Sequence, residues 1–93
     1  MTTFTDTTFD IKSDATEWLV MIRPGTREFR SPTKKRVFKL QAGVDYVVIF
    51  YGYGDPGNSI ELKTTANNVV KITHSETVPP GAKFAVGHNH MVL

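Results

Sequence analysis

The stretch Asp45-Tyr46-Val47-Val48-Ile49-Phe50-Tyr51-Gly52-Tyr53 is built from β-branched and aromatic residues that are apolar at odd and even positions alike, and Gly54-Asp55-Pro56-Gly57-Asn58 follows at once. The first part has β propensity and no helical period; the second is turn chemistry. Together they predict a long central strand, buried on both faces, that ends in a sharp reversal. Val48 and Phe50 are then core residues. A second stretch of the same kind, Trp18-Leu19-Val20-Met21-Ile22, stops at Pro24-Gly25. Strands of this type need facing layers to cover them, which points to an all-β domain.

Shorter alternating segments supply those layers. Thr26 to Arg30 can pair back across Pro24-Gly25 as a hairpin, and Ser31-Pro32-Thr33 breaks it. Arg36, Phe38 and Leu40 alternate with Val37, Lys39 and Gln41; Ile60 and Leu62 alternate with Glu61 and Lys63; Val70 and Ile72 alternate with Lys71 and Thr73. In the last strand Phe84, Val86, His88, His90 and Val92 share one parity, which reads as an inward face that turns polar as the strand leaves the core. No window carries an amphipathic helix. The expectation is one domain over residues 1–93, a small antiparallel β-sandwich of seven to eight strands, with a jelly roll or small barrel as alternatives. Residues 1–9 are rich in threonine with Phe4 isolated among polar neighbours, and predict an extended N-terminal arm or edge strand.

A chain of 93 residues buries only about 60–65% of the surface its unfolded form exposes. It has no cysteine, so the remaining ways to reinforce a thin core are a partner subunit or a metal. The segment Met1 to Asp6 has no basic region followed by an apolar stretch, and the run from Tyr46 to Tyr53 is too short to span a bilayer as a helix. The chain reads as soluble, made without a signal peptide, cytoplasmic or virion-associated, with no membrane partner.

Charge is segregated. Seven of the eleven basic residues (Arg23, Arg27, Arg30, Lys34, Lys35, Arg36 and Lys39) fall within residues 23–39, and Asp6, Asp10, Asp14 and Glu17 precede them. The acidic start of one copy can lie on the basic strand of another. Alternatively, Arg30, Lys34, Lys35 and Arg36, with the nearby Tyr51 and Tyr53, form a binding surface for a polyanion, nucleotide or glycan. Phe29 and Phe38 lie among the cations, as a stacking surface for single-stranded nucleic acid requires.

His88 and His90 lie two apart on a strand, so their imidazoles leave on one face, and His74 is a third potential metal ligand. The pair resembles the His-x-His pairs of phage membrane-piercing spike tips, in which three pairs hold one iron; the resemblance covers these residues alone. Solvated histidines near a strand end are the simpler expectation, and no cofactor is expected. Enzyme signatures are missing. There is no cysteine nucleophile, no serine stands in a Gly-x-Ser-x-Gly context, and the Gly52-x-Gly54-x-x-Gly57 spelling runs into a proline-containing turn where a helix would have to begin. The expected function is therefore a non-catalytic structural or interaction module that oligomerises or decorates a larger assembly. In type it looks like the small accessory and capsid-decoration proteins of viruses.

Overall fold

The computed structural model describes residues 2–93. They form eight strands and no helix: β1 (Phe4–Ser13), β2 (Glu17–Arg23), β3 (Arg27–Arg30), β4 (Lys35–Gln41), β5 (Asp45–Tyr53), β6 (Ser59–Ala66), β7 (Val69–Thr77) and β8 (Phe84–Val92). Two antiparallel sheets of four strands, in the orders β4-β1-β6-β7 and β3-β2-β5-β8, pack as a sandwich. The expected architecture is the one observed. Among the described residues no strand ladder joins the two sheets, although β7 packs beside β8, so the molecule is not a closed barrel.

Two tight hairpins are encoded locally. β2 returns as β3 across Pro24-Gly25, with Ile22 opposite Arg27. β6 returns as β7 through Asn67-Asn68, both at positive φ (51° and 61°), as a two-residue loop with the strands' right-handed twist demands.

The core lies between the sheets. From the first sheet come Phe9, Leu40, Ile60 and Leu62; from the second come Val20, Ile22, Val48 and Phe50, all without measurable exposure. Phe38 closes the edge against Phe9 and Phe29, with ring centroids 5.8 and 6.4 Å away. The ends are sealed by amphipathic aromatics. The Trp18 indole Nε1 donates to the Thr33 carbonyl at 2.8 Å, and the Tyr46 hydroxyl accepts from the Gln41 amide at 2.8 Å, so both bury their rings without stranding a polar atom.

Three expectations are corrected. β1 is neither an arm nor an edge strand: it lies between β4 and β6 and pairs with both, and Thr7, Phe9 and Ile11 anchor it by sharing the inward parity. β5 is central in its sheet but buried on one face only, with Tyr46, Val48 and Phe50 inside and Val47, Ile49, Tyr51 and Tyr53 outside. In β8 the set Phe84, Val86, His88, His90 and Val92 faces outward, while Ala85, Gly87 and Met91 are buried. Gly87 fixes that choice. The Phe50 ring occupies the place a Cβ at residue 87 would take, so the glycine must face the core.

A candidate interaction face

The two outer faces of the sandwich differ in charge, although the β4-β1-β6-β7 sheet also exposes Phe4, Val37 and Val70. On the β4-β1-β6-β7 sheet, pairing register sets acid against base. Asp6 lies opposite Lys39, with carboxylate and ammonium 2.9 Å apart, and Asp10 lies opposite Lys35 at 3.9 Å. Farther along, Lys12 is opposite Glu61, whose carboxylate accepts from the Ser75 hydroxyl at 3.3 Å. Asp6 and Asp10 of the acidic segment therefore meet Lys39 and Lys35 of β4 inside one chain, while Glu17 and Arg23 lie on β2 of the other sheet and are not among these pairs. Exposed pairs of this sort contribute about 0–1 kcal/mol each and mainly keep the face solvated.

The outer face of the β3-β2-β5-β8 sheet is apolar. Register places Glu17, Tyr53 and Phe84 in one row, then Leu19, Tyr51 and Val86, then Met21, Ile49 and His88, then Arg23, Val47 and His90. The two inner rows hold five apolar or aromatic side chains and one histidine. Tyr53 and Phe84 meet edge to face at 5.2 Å. Leu19, Met21, Val47, Ile49 and Tyr51 are half-buried only by their neighbours within the sheet, and Phe84 and Val86 stay 56% and 50% exposed. Nine residues at about 3.3 Å and three strands about 4.8 Å apart give the whole face roughly 400 Å² in projection, within the range of about 300–600 Å² for the largest patch on a typical monomer, which is often functional. A groove of about 500 Å³ runs along one end of this face, floored by Leu19, Met21, Tyr51, Tyr53 and Phe84 and rimmed by Glu17, Arg30 and Ser31.

Of the cations expected to act together, only Arg30 joins Tyr51 and Tyr53 at this groove, and it also faces Glu28 at 3.8 Å. Lys34 lies over the Trp18 ring at 5.8 Å, Lys35 pairs with Asp10, and Arg36 stacks on Phe38 at 5.2 Å. The basic segment thus spreads around the molecule instead of converging. Phe29 is buried and Phe38 is packed against the core, so neither offers a free ring to a base.

The histidines separate as well. His88 and His90 share the apolar outer face, 6.5 Å between ring centroids, and His90 Nδ1 lies 3.3 Å from Asp45 Oδ1. His74 is on the other side of the sheet. Its ring meets the edge of Phe50 at 5.0 Å, and its Nε2 lies 3.1 Å from Glu76 Oε2. His74 cannot complete a site with the other two, and among the described residues no group of three or more potential ligands converges on one point.

What sequence reasoning missed is the outer face itself. Leu19, Met21, Val47, Ile49, Phe84 and Val86 were legible as apolar, but as core. The signal was the two-sided apolarity of β2 and β5.

Geometrically the molecule is a small all-antiparallel sandwich with one solvated outer face and one apolar outer face. Among the described residues no helix is long and apolar enough to cross a membrane. No protein-family model, no curated protein and no solved structure matches this chain.

Proposed function

We propose that this protein is a non-catalytic structural module that works by self-association, packing the apolar outer face of β2, β5 and β8 against the same face of a second copy, in the manner of small β-proteins that decorate viral or other large assemblies. The observation that carries this reading is the arrangement of the two outer faces: on one sheet exposed Phe4, Val37 and Val70 are separated by charge pairs, and on the other apolar side chains fill adjacent rows across three strands. Covering about 400 Å² on each copy, about 800 Å² in all, falls short of the roughly 1,200–2,000 Å² of a standard stable interface, so the face contact by itself makes a weak, concentration-dependent association.

Charge supports a second copy as the occupant. Glu17 and Arg23 stand at opposite ends of β2 on this face. A two-fold axis lying across the strands brings each Glu17 to the partner's Arg23 and stacks the apolar rows between them. An axis along the strands would instead set Arg23 against His90, which offers no such match.

Light scattering and sedimentation of the wild type and of Ile49→Lys, at 0.15 and 1 M salt, test the reading. Assembly that survives high salt and falls to a smaller mass in Ile49→Lys, with β-type circular dichroism unchanged, supports it. A wild-type monomer throughout overturns it, and steeply salt-dependent binding of a single-stranded oligonucleotide by that monomer would favour a polyanion-binding module instead.

A further inference from the structure

We infer that the outer edge of β8 is a strand-pairing site for β8 of another copy, joining two sandwiches through one continuous sheet. The inference rests on the four sheet edges and not on the apolar face. A strand edge presents unpaired N–H and C=O groups, and native edges are blunted by shortness, by charge or by bulges. β3 has only four residues. β4 carries Lys35, Arg36 and Lys39. β7 is broken by a register shift, Thr64 pairing with Ile72 and Thr65 with Val70, so that Lys71 is left as the extra residue of a bulge. β8 has none of these devices. It runs nine residues in unbroken register with β5 and contains no proline, lysine, arginine, aspartate or glutamate.

The hydrogen-bond pattern says which groups are open. The Gly54 amide donates to the Lys83 carbonyl at 2.9 Å, so Lys83 bonds toward β5. In an antiparallel ladder the bonding residues alternate. Ala85, Gly87, Asn89 and Met91 therefore bond inward, and the backbone groups of Phe84, Val86, His88 and His90 point away. The His90 amide, which donates to Asn89 Oδ1 at 2.9 Å, confirms the phase and is already occupied. Among the described residues no backbone bond from another segment reaches the groups of Phe84, Val86 and His88.

The partner follows from the same comparison. Of the four edges another copy offers, three are blocked and only β8 is free. An antiparallel pair about a two-fold axis is self-complementary, and a strand without charged side chains meets no like charge in its twin. The open groups are centred on Val86, which sets the register: Val86 opposite Val86 of the second copy, and Phe84 opposite its His88. This axis stands perpendicular to the sheet. The axis of the face-to-face contact lies within the sheet plane and crosses the neighbouring Phe50–Gly87 row; the two axes are perpendicular, and a shift of one residue's rise makes them intersect and close a four-copy assembly.

His88→Pro tests the edge. It removes an outward N–H that β5 does not use, and edge strands accept proline where the N–H faces away. The wild type is expected as four copies, and so is the control His88→Ala, which changes the same outer-face side chain but keeps the N–H; His88→Pro is expected as two held by the face, and Ile49→Lys as two held by the edge. An assembly mass unchanged in His88→Pro overturns the edge pairing and leaves the face reading standing; one unchanged in Ile49→Lys does the reverse. Because the chain has no cysteine, Val86→Cys gives a second readout that does not depend on how proline is tolerated. Bonded antiparallel partners have Cα atoms about 5.5 Å apart, within disulfide range, so mild oxidation should convert most of the protein to covalent dimer. The control Thr73→Cys, on the other sheet, should stay monomeric on a denaturing gel. Equal cross-linking of both variants refutes the register.

Discussion

Residues 49 and 50 are neighbours in the chain and opposites in the structure, and their substitution separates core from surface. Phe50 has no measurable exposure; its ring lies over Gly87 and meets the His74 imidazole edge on at 5.0 Å. Truncating a fully buried phenylalanine costs about 3–5 kcal/mol, the lost transfer free energy plus the cavity left behind. A domain of this size holds about 5–14 kcal/mol in total. Each kcal/mol moves the midpoint by about 4–8 °C, so Phe50→Ala should lower Tm by about 12 °C or more, and by up to about 40 °C if the site does not collapse. Ile49, one position away, is half-buried by its own sheet with no layer above it. Ile49→Lys should leave the folded far-ultraviolet spectrum intact and shift Tm of the dilute monomer by only about 1–2 kcal/mol equivalent, since the lysine stem lies along the sheet and the ammonium reaches water. Thermal melts at micromolar concentration and again at the highest soluble concentration separate intrinsic stability from mass action. A Phe50→Ala variant melting within a few degrees of wild type would refute the facing of β5. So would an Ile49→Lys variant that fails to fold.

Two further substitutions probe the interior. The Thr64 hydroxyl is buried between β1 and β7 without a hydrogen-bond partner, so Thr64→Val, which keeps the shape and removes the stranded polar group, should raise stability by about 1–2 kcal/mol in urea unfolding; no gain would mean that the hydroxyl is satisfied in solution. Gly87→Ala drives a methyl into the Phe50 ring and toward Glu76, and should destabilise by about 1–3 kcal/mol despite the chain-entropy advantage of alanine; a stabilised variant would show that β8 presents its other face to the core.

Sequence periodicity resolves faces, and here it resolved most of the fold because most strands alternate cleanly. Ile60 and Leu62 with Glu61 and Lys63, or Phe38 and Leu40 with Lys39, leave one orientation open. It failed where both parities are apolar. Nothing in Tyr46 to Tyr53 says whether the second face is covered by the same chain or by another molecule, and assuming the former placed Ile49 and Tyr51 inside. In β8 the larger residues sit outside because the Phe50 ring fills the space beneath Gly87, a contact across strands that composition does not record. Charge failed for a related reason. Asp6 and Lys39 are distant in sequence, and only the antiparallel register of β1 with β4 shows that Asp6 and Asp10 meet Lys39 and Lys35 in one chain. His74 lies on a strand whose inward parity faces the back of β8, so spacing alone could not place it away from His88 and His90.

The same two-sided apolarity that misled the assignment of core residues is what the proposed function explains. A sandwich needs one apolar face per sheet, and the β4-β1-β6-β7 sheet obeys that rule: Asp6, Asp10, Lys35, Lys39 and Glu61 keep its outer side wet. If the other sheet had the same requirement, Leu19, Met21, Val47, Ile49 and Tyr51 would be free to be polar, and their exposure would give the monomer only a tendency to aggregate. Their arrangement in adjacent rows, with Glu17 and Arg23 at the two ends, has the form of a layer that expects a third layer above it. The edges point the same way. Charge, shortness and a bulge protect three of them, and the unprotected one, β8, belongs to the sheet with the apolar face. A thin core without disulfides gains stability when that sheet is extended and covered. In this reading the second copy is the missing part of the sandwich's outer architecture, and β2, β5 and β8 are the strands on which both contacts converge.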